Sequence, residues 1–239
     1  MPIKMKSMKS TTKMSSEERR AAIIRAVRRV FAEKGFDGTT TRELADAACV
    51  SEALLFKHFP NKEALFSAMQ LSCCTVRDHD RMERLKALEP SASTLVLMVH
   101  FLVSRIVTGS GSGSTDEEQA IQNRLFLRSL AEDGEFSRTL LKRPTVAWIP
   151  KVEQCLKAAT AAGEAVASPV GPKLRAWFTH HLAAMIMFYL LPEEPAVDYG
   201  APRAKLVEPA VWFALRGMGL TDEAIRRYYN PKALALFEN

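Results

Sequence analysis

Between Thr40 and Lys62 the chain reads TTRELADAACVSEALLFKHFPNK, and its polar side chains suit the gripping and reading of a polyanion. Lys57 and Lys62 supply compact cations, Arg42 a guanidinium fork, and Thr40, Ser51 and His58 short hydrogen-bonding groups. Such groups act only when held on a rigid frame, and the same residues encode one. Thr40 followed three residues later by Glu43 is a capping box, which starts a helix running to about Ala48. Cys49 and Val50 interrupt it. Ser51 caps a second helix that ends near Phe59, because Pro60 follows. Two short helices across a tight turn are the shape of a major-groove reader, the first bracing and the second presenting a face to base edges.

At 100° per residue, Leu55 and Phe59 share one face of the second helix, with Leu44, Ala45, Ala48 and Val50 as apolar partners. Ala53 and Lys57 lie opposite them, with Leu54 and Phe56 on the flanks. The alternative is a solvated helix pair resting on a larger core.

The flanking elements complete a small domain. Residues 16–34 form an amphipathic pattern with Ile23, Val27, Val30 and Phe31 on one side and Gly35 as its stop. Phe36 and Gly38 make the corner into Thr40. After Pro60-Asn61 a further helix carries Leu65, Met69, Cys73 and Val76 on one face.

This ensemble resembles the N-terminal domain of the TetR family of bacterial regulators. The resemblance rests on Phe31, Gly35, Phe36, Thr40, Leu44, Ala45, Ala48, Val50, Ser51, Phe56, His58, Phe59, Lys62, Glu63 and Leu65, in register over about 50 residues. It departs from the family at Cys49, usually Gly, at Phe56, usually Tyr, and at Leu54, where Thr is frequent. It implies that Ala53, Leu54 and Lys57 face bases while Thr40, Phe56, His58 and Lys62 sit on the backbone, with Arg42 and Ser51 completing the contact set. A second implication is a homodimer on a pseudo-palindromic operator in double-stranded DNA.

Charge agrees with a polyanion partner. Residues 1–70 hold 13 Lys/Arg against 8 Asp/Glu, so nearly all of the chain's net charge of +6 sits at that end. Residues 1–15 are read as a basic arm without the apolar run of a signal peptide. No stretch reaches the length of a transmembrane helix, Leu182–Leu191 being the longest apolar run considered, so no membrane partner and a cytoplasmic location are expected.

Beyond residue 77 the pattern is helical throughout, giving an all-α class: an N-terminal three-helix helix-turn-helix domain (16–76) and a larger ligand-binding and dimerisation domain (77–239). Ser91–Val107 is an apolar helix, and GSGSGS at 109–114 is a loop. Thr115 with Glu118 caps a helix over 116–132 carrying Ile121, Leu125, Phe126 and Leu130. A long helix from about Phe136 to Ala162 contains Pro144 and Pro150, which are expected to break or bend it. Pro172–Leu191 is apolar nearly all round, so it needs a partner on two sides. Family pairing of the last two long helices across a two-fold axis supplies one, with Trp177, Phe178, Met185, Phe188, Val211, Trp212, Leu215 and Met218 as the expected dimer interface. Met98, Phe101, Leu102, Phe126, Trp148, Phe178, His181 and Met185 are the expected walls of a pocket for a largely apolar effector.

Catalysis and metals find little support. No Ser/His/Asp, Cys/His or paired-carboxylate arrangement has usable spacing, and GSGSGS lacks the Lys-Ser/Thr of a phosphate loop. No enzyme activity, cofactor or metal is expected. Asp78-His79-Asp80 and His180-His181 are adjacent residues that diverge on a helix. Cys73-Cys74 diverge likewise, and with Cys49 and Cys155 are read as reduced thiols rather than a redox sensor. The reading is a DNA-binding transcriptional regulator, a repressor released by a small apolar ligand, the alternative being a dimeric DNA-binding protein that senses nothing.

Overall fold

The computed structural model describes residues 14–72, 83–109 and 115–235, with the side chains at 70, 71, 143–147 and 235 outside that description. The readings made for residues 1–13, Cys73, Cys74, Val76, Asp78-His79-Asp80 and 110–114 therefore lie outside the described residues, as does the expected boundary between 76 and 77. The chain forms two compact units, divided between Met69 and Gln70.

The first unit is built from α1 (Ser16–Lys34), α2 (Thr41–Ala47), α3 (Glu52–His58) and most of α4 (Lys62–Ser72). Local signals set nearly every boundary. Ser15 and Glu18 form a capping box at the start of α1, and Gly35, at φ 74°, ends it by returning its N–H to the Phe31 carbonyl. Thr40 with Glu43 starts α2 in the same way, and the Ser51 hydroxyl accepts the Leu54 N–H to start α3. Ile23, Val27, Phe31, Leu44, Leu55, Phe59, Leu65 and Met69 are almost wholly buried together. Val30, expected among them, is only partly buried, and Ile24 takes a share of its place. Phe31, Phe36 and Phe66 close the unit as an aromatic triad, Phe66 meeting Phe31 edge-on at 5.0 Å between centroids.

The second unit contains α5 (Ala92–Thr108), α6 (Asp116–Ala131), α7 (Glu135–Ala161), α8 (Pro172–Tyr189), a 3-10 turn (Arg203–Leu206), α9 (Val207–Gly217), α10 (Asp222–Tyr228) and α11 (Pro231–Ala235). Among the described residues there is no strand, only an isolated bridge between Ala165 and Leu220. Helix α5 is the axis of this unit: twelve of its residues are buried, and α7, α8, α9 and α10 pack around it. Lys151, itself buried, donates to the Leu88 carbonyl and ties α7 to the chain that enters α5.

Helix α7 is continuous over its 27 residues, so Pro144 and Pro150 do not break it as expected. A proline removes one N–H and crowds the preceding turn, a local cost that tertiary packing can offset. Val152, Cys155, Leu156 and Ala159 downstream are all buried.

Helix α8 buries its small residues. Ala176, Thr179, Ala183 and Ala184, with Ile186 and Met187, face inward, while Leu174, Phe178, Met185 and Tyr189 stay in water. Small side chains let the helix axis approach α5 closely, and the large apolar groups are left outside. No helix among the described residues is long and apolar enough to cross a membrane.

Candidate nucleic-acid interface

Helix α3 is seated from below and free above. Leu55 and Phe59 point down at 2% and 1% exposure, whereas Ala53, Phe56 and Lys57 are exposed and Leu54 and His58 lie between. The turn before it is a Schellman closure: Val50 N–H donates to the Ala45 carbonyl and Cys49 N–H to the Asp46 carbonyl, both at 3.0 Å. That closure needs a left-handed residue. Cys49 takes it at φ 51°, the one non-glycine with positive φ among the described residues. Glycine would occupy that position freely, so the departure from family pattern at Cys49 is a change of residue without a change of turn.

Three contacts that sequence reasoning did not find hold this helix pair. The Arg20 guanidinium lies 4.1 Å from the centre of the Phe59 ring and donates to the His58 carbonyl, satisfying the end of α3. The Thr41 hydroxyl donates to the Glu52 carboxylate at 2.9 Å and links the starts of α2 and α3. Lys34 pairs with Glu43, and that pairing, with the Thr40 N–H and hydroxyl, lowers the Glu43 carboxyl to about 2. Only Thr41–Glu52 carried a readable hint, since Glu52 at the first helical position is a common helix-start residue.

Lys62 departs from its expected role. Its ammonium donates to the Phe36 and Thr39 carbonyls at 2.9 and 3.0 Å and lies 4.2 Å from the centre of the Phe36 ring. The corner between α1 and α2 leaves those carbonyls without helix partners, and Lys62 supplies the donors. It is a clamp inside the domain, with one N–H left for anything else. Thr40 is similarly occupied, its hydroxyl donating to Glu43 and accepting the Glu43 N–H. Arg42, Ser51, Ala53 and Lys57 remain exposed on the outer side.

A family model described as bacterial regulatory proteins, tetR family, matches residues 23–69. The stretch that resembles this family thus runs from Ile23 in α1 to Met69 in α4. The chain is 30% identical over 126 residues to the HTH-type transcriptional repressor Rv1474c of Mycobacterium tuberculosis, across 52% of this chain and 58% of that protein. It is 37% identical over 68 residues to the HTH-type transcriptional regulator TtgR of Pseudomonas putida, across 28% of this chain and 32% of that one. The chain thus spans 58% of the first of these curated relatives and 32% of the second. Among solved structures, NalD, the secondary repressor of the MexAB-OprM multidrug efflux pump in Pseudomonas aeruginosa, matches with a TM-score of 0.62 at 21% identity, covering 87% of this chain and all of that one. AibR, in complex with isovaleryl coenzyme A and operator DNA, matches with a TM-score of 0.58 at 18% identity, across 82% and 97%. These likenesses establish the TetR-like fold across both units.

In the second unit the expected dimer face is partly reassigned. Val211 and Leu215 are completely buried within the protomer, and Met218 with them. Together with Ala210 and Ala214 they form the inner stripe of α9, so none of them is available to a partner. The outer side of α9 carries Phe213, 71% exposed, beside Trp212. On α8, Phe178 and Met185 are exposed as expected, Trp177 and Phe188 are half-buried, and Leu174 and Tyr189 extend the face.

The expected pocket is not assembled either. Met98, Phe101, Phe126 and Trp148 are buried, with Leu102 partly so, but Phe178, His181 and Met185 project from the opposite face of α8. One residue of phase separates the two histidines, and His180 is the one turned inward. Burial, aided by the neighbouring His181, lowers the His180 imidazole to about 4. Its Nδ1 and the buried Trp148 indole N–H have no hydrogen-bond partner among the described residues. Cys155 is buried and its thiol is pushed up by desolvation, which suits an inert core position. Among the described residues no group of His, Cys, Asp or Glu could hold a metal.

Proposed function

We propose that this chain is a homodimeric transcriptional repressor that binds a pseudo-palindromic operator in double-stranded DNA and is released by a small ligand. The observation that carries this reading is the seating of α3. Its inner side is locked by Leu55, Phe59 and Arg20, while Ala53, Leu54, Phe56 and Lys57 are presented outward on a helix of the width a major groove admits. Arg42, Ser51 and His58 flank that face, where phosphate contacts set register. Repressor activity is supported by the names of the relatives matched over this region. Dimerisation is supported by the apolar outer faces of α8 and α9, where Leu174, Phe178, Met185, Tyr189 and Phe213 stay exposed among the described residues. Regulation by a ligand is supported by AibR, whose structure holds both isovaleryl coenzyme A and operator DNA.

Selection from random double-stranded DNA, followed by footprinting across a salt series, tests the assignment. The expected result is a protected palindrome whose half-sites lie about one or two helical turns apart. Binding with no sequence preference at any salt would refute it.

A second reading has one observation in its favour. Met98, Phe101, Phe126 and Trp148 are packed in the interior, which suits a dimeric DNA-binding protein that senses nothing. Thermal-shift screening with apolar aromatic and acyl compounds separates the two. A stabiliser that also changes operator affinity supports sensing; a compound that stabilises without any effect on operator affinity favours the second reading.

A further inference from the structure

We propose that the groove where α6, α7 and α8 meet binds a small amphipathic carboxylate. The groove has a volume of about 420 Å³, within the range of small-molecule sites. Its apolar lining comes from Leu130 on α6, Leu141 on α7 and Trp177 on α8, and two cations, Arg138 and Lys142, stand at its edge. Those cations are four residues apart on one helix, hence one turn apart on one face.

Three features make this more than a crevice between helices. First, Leu130 is 53% exposed, whereas Leu125 and Phe126 of the same helix are buried and Ile121 and Leu127 are partly so. Second, no carboxylate is paired with Arg138 or Lys142 among the described residues. The nearby acids are engaged elsewhere: Glu132 pairs with Arg128 at 2.8 Å, and the Asp133 carboxylate accepts the Glu135 N–H at 2.8 Å. Glu135, one turn before Arg138, is exposed and makes no ion pair there. Third, the corner that opens the helix carrying both cations is a fixed turn. Gly134 sits at φ +71°, and a Cβ there would come within 2.9 Å of Arg138 Nη1. The corner itself is fixed by the Ser137 hydroxyl donating to the Gly134 carbonyl and by the Ser137 N–H donating to Ser129 Oγ.

An occupant must therefore present an apolar or aromatic body to Leu130, Leu141 and Trp177 and an anionic head to Arg138 and Lys142. A carboxylate matches the planar fork of Arg138, and Lys142 adds a point charge. Ligand control of DNA binding through this groove rests on the regulator reading above; binding in the groove does not.

Calorimetry on the full chain with 1-naphthoate and its neutral counterpart 1-naphthamide decides the site. The expected result is saturable binding of one naphthoate per protomer, with naphthamide at least about tenfold weaker. Replacing both cations, R138Q with K142Q, should cost naphthoate about the same factor, while K157Q, an exposed cation about four turns further along α7, should leave affinity unchanged. The wild-type protein supplies a measure independent of how the double variant folds: naphthoate affinity should fall with rising salt and naphthamide affinity should not. Equal binding of acid and amide, or a folded double variant that binds as wild type, overturns the proposal. Displacement of naphthoate by raising protein concentration would also overturn it, because a second copy would then be the occupant. Operator binding, measured in parallel, tests the regulator reading alone: naphthoate bound with operator affinity unchanged leaves the site standing and removes its role in sensing.

Discussion

Phe213→Ala and Val211→Ala lie two residues apart on α9 and should fail in different ways. Phe213 is 71% exposed and Val211 is fully buried. A phenylalanine presents roughly 200 Å² when extended, so about 140 Å² of Phe213 remains in water on each protomer. Covering that area at about 25 cal/mol per Å² is worth roughly 3.5 kcal/mol per copy, or roughly 7 kcal/mol across a two-fold interface. Ordering side chains at the interface offsets part of this, leaving about 3–6 kcal/mol. Phe213→Ala should therefore raise the dimer dissociation constant by about 10² to 10⁴ while the melting of the monomer hardly changes. Val211→Ala should do the reverse, opening a small cavity that costs about 1–3 kcal/mol of protomer stability and leaving self-association as it was. Sedimentation velocity over a concentration series, paired with thermal melting, reads both quantities. Unchanged association of Phe213→Ala would refute the assignment of the outer face. A selective loss of association in Val211→Ala would show that α9 presents its other side.

At the reading head, Lys57→Ala should lower discrimination at one base pair per half-site by about 1–3 kcal/mol, seen as a flattened preference in competition binding against half-site variants. Lys62→Ala should instead lower the melting temperature of the N-terminal unit, because the Phe36 and Thr39 carbonyls lose their donor at about 1–3 kcal/mol; a melting curve that overlays the wild type would exclude the clamp. Cys49→Gly relieves the left-handed strain but loosens the unfolded chain, so stability should stay within about 1 kcal/mol, whereas Cys49→Val should be clearly destabilised by denaturant titration. With its folded pKa lowered to about 2, Glu43 contributes stability above its ordinary 4.5 that fades as pH falls toward 2; Glu43→Gln keeps a capping side chain and should flatten acid unfolding of the N-terminal unit in that window. For His180 the neutral form is favoured in the fold, so stability should be full above pH 6.5 and fall by roughly 3 kcal/mol as pH drops to about 4, a slope that His180→Phe should remove from the C-terminal unit.

Helix boundaries were written in the sequence, because caps act over three or four residues. Thr40 with Glu43, Ser51, Thr115 with Glu118, and Thr221 each start a helix where their types and spacing indicate. The inward stripe of α3 was equally legible, since Leu55 and Phe59 alternate with Ala53 and Lys57 at helical spacing. The use made of Lys62 was not: a lysine after a proline reads as a surface cation, and only the folded corner brings the Phe36 and Thr39 carbonyls beneath it. The same limit explains the second unit. A helix apolar on all sides, such as α8, has no preferred face in its own sequence. Burying its alanines rather than its aromatics is decided by how closely it must approach α5, and that choice places His180 inside and His181 outside. For α9 the stripe Val211, Leu215 and Met218 could have been recognised as a core face by its spacing, which would have left Trp212 and Phe213 for a partner. Sequence alone thus determined most helix starts, their order and the family that the reading head resembles. Only tertiary packing decided which side of each apolar helix meets the core, because that depends on distances between elements far apart in the chain.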